Sequence, residues 1–489
     1  MLFNSFEFLF GFLPAAIAGF FLLARVNRAL AAAWLAAASL WFYAQWDARF
    51  VPLLLASIAF NFASGRFLAR AAGSNRSRRA VLIAAVTGNL VLLGVFKYLD
   101  FFISTTNQAL GVSLPLAGII LPLGISFYTF TQIAFLVDAY RGEAREYRFL
   151  HYVLFVTWFP HLIAGPILHH RQLMPQFERA DVYRWSASKT ASGLLLLTLG
   201  LAKKVLLADG IAALAATGFD AAAHGGTLTM TDAWMASLAF TFQLYFDFSG
   251  YSDMAVGLSR LFGVELPLNF NSPYKAANIS DFWRRWHMTL SRFLRDYVYV
   301  PLGGNRRGEP RRYINLVITM LLGGLWHGAN WTFVVWGGFH GALLAIHHGW
   351  RAWRGMPRST PDHPALLARV AGTATTFLAV VIGWVIFRAE SLAAAGRVLS
   401  AMSGLAPVGA GPDVAAALSI ALCALIVFSS PNSNELLELI DRHADATGWK
   451  GALARTAASP IGGVIAGALF IASVARLTTV ASEFLYFQF

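Results

Sequence analysis

The chain has 489 residues, 57% of them hydrophobic and only 13% charged, where a soluble domain carries about 25% charge, so a soluble globular protein is excluded and a polytopic membrane protein is indicated. The net charge of +13 does not signal nucleic acid, because the cytoplasmic loops of membrane proteins collect Lys and Arg. The single cysteine, Cys423, lies in an apolar run, so it forms no intrachain disulfide, and nothing basic beside it would favour a reactive thiolate.

Apolar runs long enough to cross a bilayer fall near 8–24, 29–46, 50–68, 80–98, 115–137, 150–168, 190–216, 233–262, 313–329, 331–350, 366–387, 413–430 and 459–475. With some of them re-entrant, ten to thirteen helices are expected. Arg25 and Arg28 follow the first run, Arg66 to Arg79 the third, and Arg141, Arg145 and Arg148 the fifth, while the loop 99–113 has no Lys or Arg. That alternation predicts an N-terminus outside the cytosol and basic loops within it. The opening Met1-Leu-Phe-Asn-Ser-Phe-Glu lacks a positive leader region and a small-residue cleavage site, so no signal peptide is expected.

Residues 1–110 read as plain apolar helices, 115–350 hold nearly all the histidines and buried acids, and 360–489 are Ala-rich helices with a short polar link at 433–442. Together they read as a single integral-membrane domain. No repeat of fixed period is present, whereas many transporters carry inverted repeats.

Within the middle region, Trp158-Phe-Pro-His-Leu-Ile-Ala-Gly-Pro holds Pro160, Gly165 and Pro166, which predicts a broken or re-entrant segment. His161 there fits lining a cavity or capping broken backbone. In Gln243-Leu-Tyr-Phe-Asp-Phe-Ser-Gly-Tyr-Ser-Asp, Asp247 and Asp253 interrupt an apolar span and Gly250 is expected to break or kink it. Asp247 reads first as a hydrogen-bond hub, because a carboxylate here must be paired, and second, with Tyr251, as a substrate-positioning group. The stretch 264–312 has nine Lys and Arg and interrupts the helical pattern. Irregular backbone near a membrane is tolerated inside protein or beside water, so this stretch suits a polyanionic cytosolic ligand.

On a continuous helix over 281–295, Phe282, Trp286, Phe293 and Tyr297 share one face, and Arg284, His287, Ser291 and Arg295 the opposite one. Two readings are open: guanidinium forks holding the phosphates of a coenzyme, or arginines reaching to lipid headgroups. Then comes Leu322-Gly-Gly-Leu-Trp-His-Gly-Ala-Asn-Trp, where Gly324 and Gly328 permit close helix approach, with Trp326 beside His327 and Asn330 one turn on. A neutral imidazole in an apolar passage can accept a proton; a buried histidine bonded to a carbonyl is the plainer alternative. His340 and His347–His348 lie nearer the basic end of this hairpin and are expected at the interface. The pairs His169–His170 and His347–His348 lack the spacing of di-iron histidine boxes, and zinc-type spacing is missing, so no metal is expected.

In order, these segments resemble the membrane-bound O-acyltransferase (MBOAT) family, and within it the branch of the alginate O-acetylation membrane subunit. The resemblance runs from Met1-Leu-Phe-Asn-Ser-Phe-Glu through Leu121-Pro-Leu-Gly-Ile-Ser, Phe159-Pro-His-Leu-Ile-Ala-Gly-Pro, Tyr245-Phe-Asp-Phe-Ser-Gly-Tyr, Asp281-Phe-Trp-Arg-Arg-Trp-His, Arg295-Asp-Tyr-Val-Tyr-Val-Pro-Leu-Gly-Gly-Asn and Leu325-Trp-His-Gly-Ala-Asn-Trp to Phe484-Leu-Tyr-Phe. Ile167-Leu-His-His-Arg departs from it. The resemblance implies an all-α ring of helices around a central tunnel, with His327 as the catalytic histidine and His287 as the second functional one. It implies acetyl-CoA as the acyl donor, entering from the cytosol at the bacterial inner membrane. It also implies periplasmic acetyltransferase (SGNH-like) partners and polysaccharide assembly machinery. Peptidoglycan, cellulose and teichoic acid are alternative acceptors within the branch. A polysaccharide or lipid-linked sugar transporter, or a scaffold for periplasmic partners, is the reading from another class; consumption of acetyl-CoA separates these from the enzyme.

Overall fold

The computed structural model describes residues 1–70, 75–144, 148–356, 365–443, 459–478 and 484–485, all helix, turn and irregular coil, with no strand among them. The principal helices are α1 (Glu7–Val26), α2 (Arg28–Asp47), α3 (Val51–Ala69), α4 (Asn75–Leu110), α5 (Ile125–Tyr140), α6 (Phe149–Thr157), α7 (Ala187–Ala223) and α8 (Met230–Leu261). The short α9 (Ile279–Arg285) and α10 (Met288–Leu294) follow, then α11 (Glu309–His327), α12 (Trp331–Trp353), α13 (Leu366–Arg388), α14 (Leu392–Ser400), α15 (Val414–Ser429), α16 (Ser433–His443) and α17 (Pro460–Leu477). By length and apolarity alone, α1, α2 joined to α3, α4, α7, α13 and α17 can cross a membrane, and α15 bent by 45° onto α16 makes a seventh. Helices α8, α11 and α12 also have spanning length, at 32, 19 and 23 residues. They are more polar because they carry the site's side chains.

The apolar run at 115–137 differs from expectation. Helix begins only at Ile125, because Pro115 and Pro122 withhold donors and Gly118 and Gly124 turn left-handed, at φ 61° and 70°. Asp100 holds the irregular stretch by accepting from the amides of Ala117 and Gly118, at 2.7 and 3.0 Å.

The chain packs as two compact units. The first comprises residues 1–198 and 251–267. Several of its buried polar groups close into pairs: Asn61 and Asn89 exchange amide hydrogen bonds at 3.1 and 2.7 Å, Gln132 Nε2 donates to Ser57 Oγ, and Tyr152 Oη donates to Gln132. Such matching is what an apolar helix interface demands. The segment after α6 breaks at Trp158, as its prolines predict. Phe159 gives its amide to Ser39 Oγ, which frees the Phe155 carbonyl for His161 Nε2 at 2.8 Å. His161 therefore caps broken backbone.

The second unit comprises residues 199–250 and 268–489. Gly250 does not break α8; a Cβ there would stand 2.7 Å from the Gly200 carbonyl, so the glycine lets α7 and α8 approach. The polar link at 433–442 is the helix α16, and Asn432 just before it ties down irregular chain through Asn271 Oδ1 and Ser272 Oγ at 3.0 and 2.9 Å. Lys275 Nζ on the Ser430 carbonyl (2.6 Å) and Tyr274 Oη on the Thr241 carbonyl (2.8 Å) finish the anchoring. The hairpin α11–α12 closes backbone to backbone. A Cβ at Gly337 would strike the Met320 carbonyl, and one at Gly324 the Phe333 carbonyl. The partner of Gly324 is thus Gly337 across the hairpin, while Gly328 lies under the Phe333 ring.

Gly337→Val should therefore destabilise the detergent-purified protein by about 2–3 kcal/mol. Gly338→Ala, whose Cβ would rest 3.4 Å from Leu321, should be neutral or mildly stabilising. Thermal melts of the two variants side by side check the contrast.

Candidate active site

The expected helix over 281–295 is broken at its centre. Helix α9 ends at Arg285, Trp286 is extended, and His287 turns left-handed at φ 42° and ψ 54° before α10 begins. A non-glycine residue there costs of order 1 kcal/mol and persists only when its surroundings dictate it. Asn269 dictates it. The Met288 amide donates to the Asn269 carbonyl at 2.9 Å, while Asn269 Oδ1 takes the Thr289 amide (3.3 Å), the Thr289 hydroxyl (2.9 Å) and His287 Nδ1 (3.1 Å).

These bonds also assign the imidazole. A backbone amide only donates, so the side-chain atom of Asn269 that it meets is the oxygen, and His287 Nδ1 must carry the proton that it gives that oxygen. Nε2 is then left with the lone pair. It is buried and has no hydrogen-bond partner among the described residues. His287 is wholly buried, with Phe248 edge-on at 4.8 Å between ring centroids.

His327 is the last residue of α11 and is 7% exposed. Its ring meets Trp326 at 4.8 Å, Trp336 at 5.2 Å and Phe387 at 5.3 Å, and the His287 ring is 6.5 Å away. Tertiary packing thus brings together two imidazoles 40 residues apart, inside a wall of aromatic rings that includes Trp286 and Trp384, themselves 4.8 Å apart. Such a setting excludes water and suits proton transfer between a neutral imidazole and a substrate hydroxyl.

The remaining expected residues divide. Trp286 and Trp326 are buried beside the histidines. Asn330 spends both ends of its amide on structure: Oδ1 caps α12 at Thr332, and Nδ2 donates to the Glu390 carbonyl. Ser291 Oγ donates to the Trp286 carbonyl at 3.4 Å, helping to hold the break. Arg284 and Arg295 are exposed, and Arg295 pairs with Asp296 at 2.7 Å. The shared face expected for Arg284, His287, Ser291 and Arg295 does not form, because the left-handed turn rotates the two halves of the helix out of phase. Tyr251 belongs to the first unit, stacked on Phe3 at 4.9 Å.

Asp247 is the hub of a buried ion group. Lys204 sits on a π-helical turn of α7, 2.7 Å from both Asp209 and Asp247, and the Leu485 amide donates to the other oxygen of Asp247. His340 corrects the expectation of an interfacial residue: it is wholly buried, against Trp283 at 5.2 Å and Trp336 at 4.9 Å. Sequence reading passed over Asn269, Lys204, Trp336 and Phe387. An asparagine 18 residues before the histidine it orients has no periodic signal to betray it, although Lys204 within an apolar run was a signal of the kind that exposed Asp247.

Lys204→Met leaves Asp247 uncompensated and should cost about 3–5 kcal/mol, while Lys204→Met with Asp247→Asn should regain most of that. Melting temperatures of the pair check it.

The sequence pattern of the MBOAT, membrane-bound O-acyltransferase family, matches residues 72–368. A peptidoglycan O-acetyltransferase of Helicobacter pylori is 43% identical over 435 residues, covering 83% of this chain and 80% of that protein. A probable alginate O-acetylase AlgI of Azotobacter vinelandii is 42% identical over 407 residues, covering 82% and 78%. A teichoic acid D-alanyltransferase of Bacillus subtilis is 29% identical over 270 residues, covering 53% and 65%. With its helices, its Trp-flanked histidines and this likeness, the chain belongs to the membrane-bound O-acyltransferase family and is an O-acyltransferase.

Proposed function

We propose that the protein moves acetyl groups from cytosolic acetyl-CoA across the bacterial inner membrane for O-acetylation of an exopolysaccharide such as alginate. Periplasmic SGNH-like acetyltransferases and the polysaccharide assembly machinery would complete delivery outside, where the N-terminus also lies. One observation carries the reading: two buried imidazoles 6.5 Å apart in an aromatic enclosure, one of them with a lone pair that nothing in the described protein satisfies.

In the proposed reaction His327 takes the proton of an acceptor hydroxyl as its oxygen attacks the thioester carbonyl. The tetrahedral adduct collapses, the carbon–sulfur bond breaks, and the proton passes from His327 to the departing thiolate. The ester forms and free coenzyme A leaves. His287 offers Nε2 as an acceptor, which supports its role in orienting a substrate N–H or O–H over a role as donor to the developing oxyanion. The acceptor has a second reading, a wall glycan, favoured by the peptidoglycan O-acetyltransferase of Helicobacter pylori, as similar to this chain as the alginate protein is.

In vesicles given acetyl-CoA and acceptor, thiol release should accompany acetylation, and His327→Ala should slow both by about 10²–10⁴-fold while remaining folded. Normal acetylation by that variant would remove His327 from the chemistry. Asn269→Ala frees the His287 ring and should lower turnover by up to about 10²-fold, the scale of a 1 Å misplacement. Mass spectrometry of the exopolysaccharide and the peptidoglycan of a deletion strain identifies the acceptor by which of them loses O-acetyl groups.

A further inference from the structure

Helix α4 is longer than a bilayer requires. Its 36 residues reach about 54 Å, against a hydrocarbon core of about 30 Å. The excess lies at one end. Arg78, on the first turn of α4, donates to the Tyr140 carbonyl at the last turn of α5, at 2.8 Å, and the two helices pack side by side from there. From that contact α5 extends 16 residues, to Ile125. Helix α4 continues through the π-helical turn at Gly94–Tyr98 as far as Leu110, and so outruns its neighbour by about 20 Å. The polar run Ser104-Thr-Thr-Asn-Gln near its tip marks where it has left the bilayer.

The chain turns back at Gly111, left-handed at φ 65°, and runs down α4 as irregular backbone. Asn107 holds it with both ends of its amide: Nδ2 donates to the Leu114 carbonyl at 2.9 Å, and Oδ1 accepts the Leu114 amide at 2.8 Å. Asp100 makes the second clamp, on the amides of Ala117 and Gly118. Irregular backbone does not lie exposed to lipid, so the knob at 104–118 stands in water. Its apolar side chains nevertheless face out: Leu110, Val112, Leu114 and Leu116 are 71%, 42%, 50% and 59% exposed. One exposed leucine is ordinary. Four along 110–116, on clamped chain, form a patch of the kind that marks a protein contact.

The chemistry of the patch selects its occupant. No Lys, Arg, Asp or Glu occurs from 101 to 137, so a lipid phosphate or an acidic polymer has no cation to meet there. A neutral glycan would set its hydroxyls against leucines, a contact that leaves them unpaired. An apolar, uncharged protein surface fits. Arg76, Arg78 and Arg79 lie at the other end of α4, which turns the knob away from the cytosol. We infer that the knob at 104–118 is the outer docking surface for an exported partner protein, which seats Leu110, Val112, Leu114 and Leu116 in an apolar, uncharged pocket of its own. The clamps at Asn107 and Asp100 hold the patch in its bound shape, so little entropy is lost on contact. The inference rests on the orientation and exported-partner readings above and names the surface they use.

The test pairs the full protein in detergent with the purified SGNH-like acetyltransferase exported by the same organism. Leu114→Asp with Leu116→Asp should weaken binding at least about tenfold, and Leu114→Met with Leu116→Met should bind as the wild type does. Both side chains are exposed, so melting temperatures should not move. In vesicles given acetyl-CoA and a small soluble acceptor, thiol release by the Asp pair should stay at the wild-type rate, while O-acetylation of the polymer in cells falls. Equal binding by the Asp pair overturns the knob. A benzophenone side chain in place of Leu114 should photo-crosslink in cells to the exported acetyltransferase; links only to lipid, or only to a second copy of this chain, overturn it as well. Orientation is read separately, since Gln108→Cys should react with a membrane-impermeant maleimide applied from outside. Reaction only after the membrane is opened removes the outer location. If Gln108→Cys is labelled from outside but the wild type does not bind the acetyltransferase, the partner reading fails and the knob with it. Should the Asp pair not fold, Leu114→Ser with Leu116→Ser carries the same comparison.

Discussion

Asn269 Oδ1 receives an imidazole N–H, a backbone N–H and a hydroxyl at one point in the interior, and the candidate centre depends on that convergence. It holds His287 in a left-handed conformation, chooses its tautomer and leaves Nε2 as a lone pair aimed into an aromatic enclosure. In water such bonds contribute little net, because solvent competes for every partner. In a dry interior an unmatched group bears its full desolvation cost, so a single acceptor serving three donors can fix one geometry against all others.

The same rule accounts for much of the rest. Asn61 with Asn89, Gln132 with Ser57, His161 with the Phe155 carbonyl and Lys204 with its two aspartates are all polar groups in apolar surroundings, and each has found a partner. Other buried polar atoms have no hydrogen-bond partner among the described residues, and several of them belong to the second unit's imidazoles and indoles: Nε2 of His287, the ring nitrogens of His340, and the indole nitrogens of Trp283 and Trp336.

Aromatic rings and glycines supply the remaining condition, a rigid frame. Trp336 bridges His327 and His340, and Trp384 reaches both Trp286 and the hydroxyl of Tyr274. Large flat side chains hold position at small entropic cost. Gly324 and Gly337 bring α11 and α12 together backbone to backbone, which sets His327 against the Trp336 ring of the same hairpin.

Composition, hydropathy and the ordered motifs determined that this is an all-helical membrane O-acyltransferase with His327 and His287 as its prominent side chains, because those properties are local and survive being read along a line. The apolar runs located most helices, and the prolines near Trp158 located the break after α6. The stretch 281–295 was misread as one helix, since helical spacing holds on both sides of a kink and only a contact from Asn269, far back in the chain, creates the turn. Arg284 and Arg295 lost their shared face for that reason. His340 lay in a run that looked interfacial, and Lys204 was overlooked, because burial depends on what α7, α9 and α13 place around them. Pairings between residues separated by tens or hundreds of positions follow from how helices pack, and only the tertiary structure decided those.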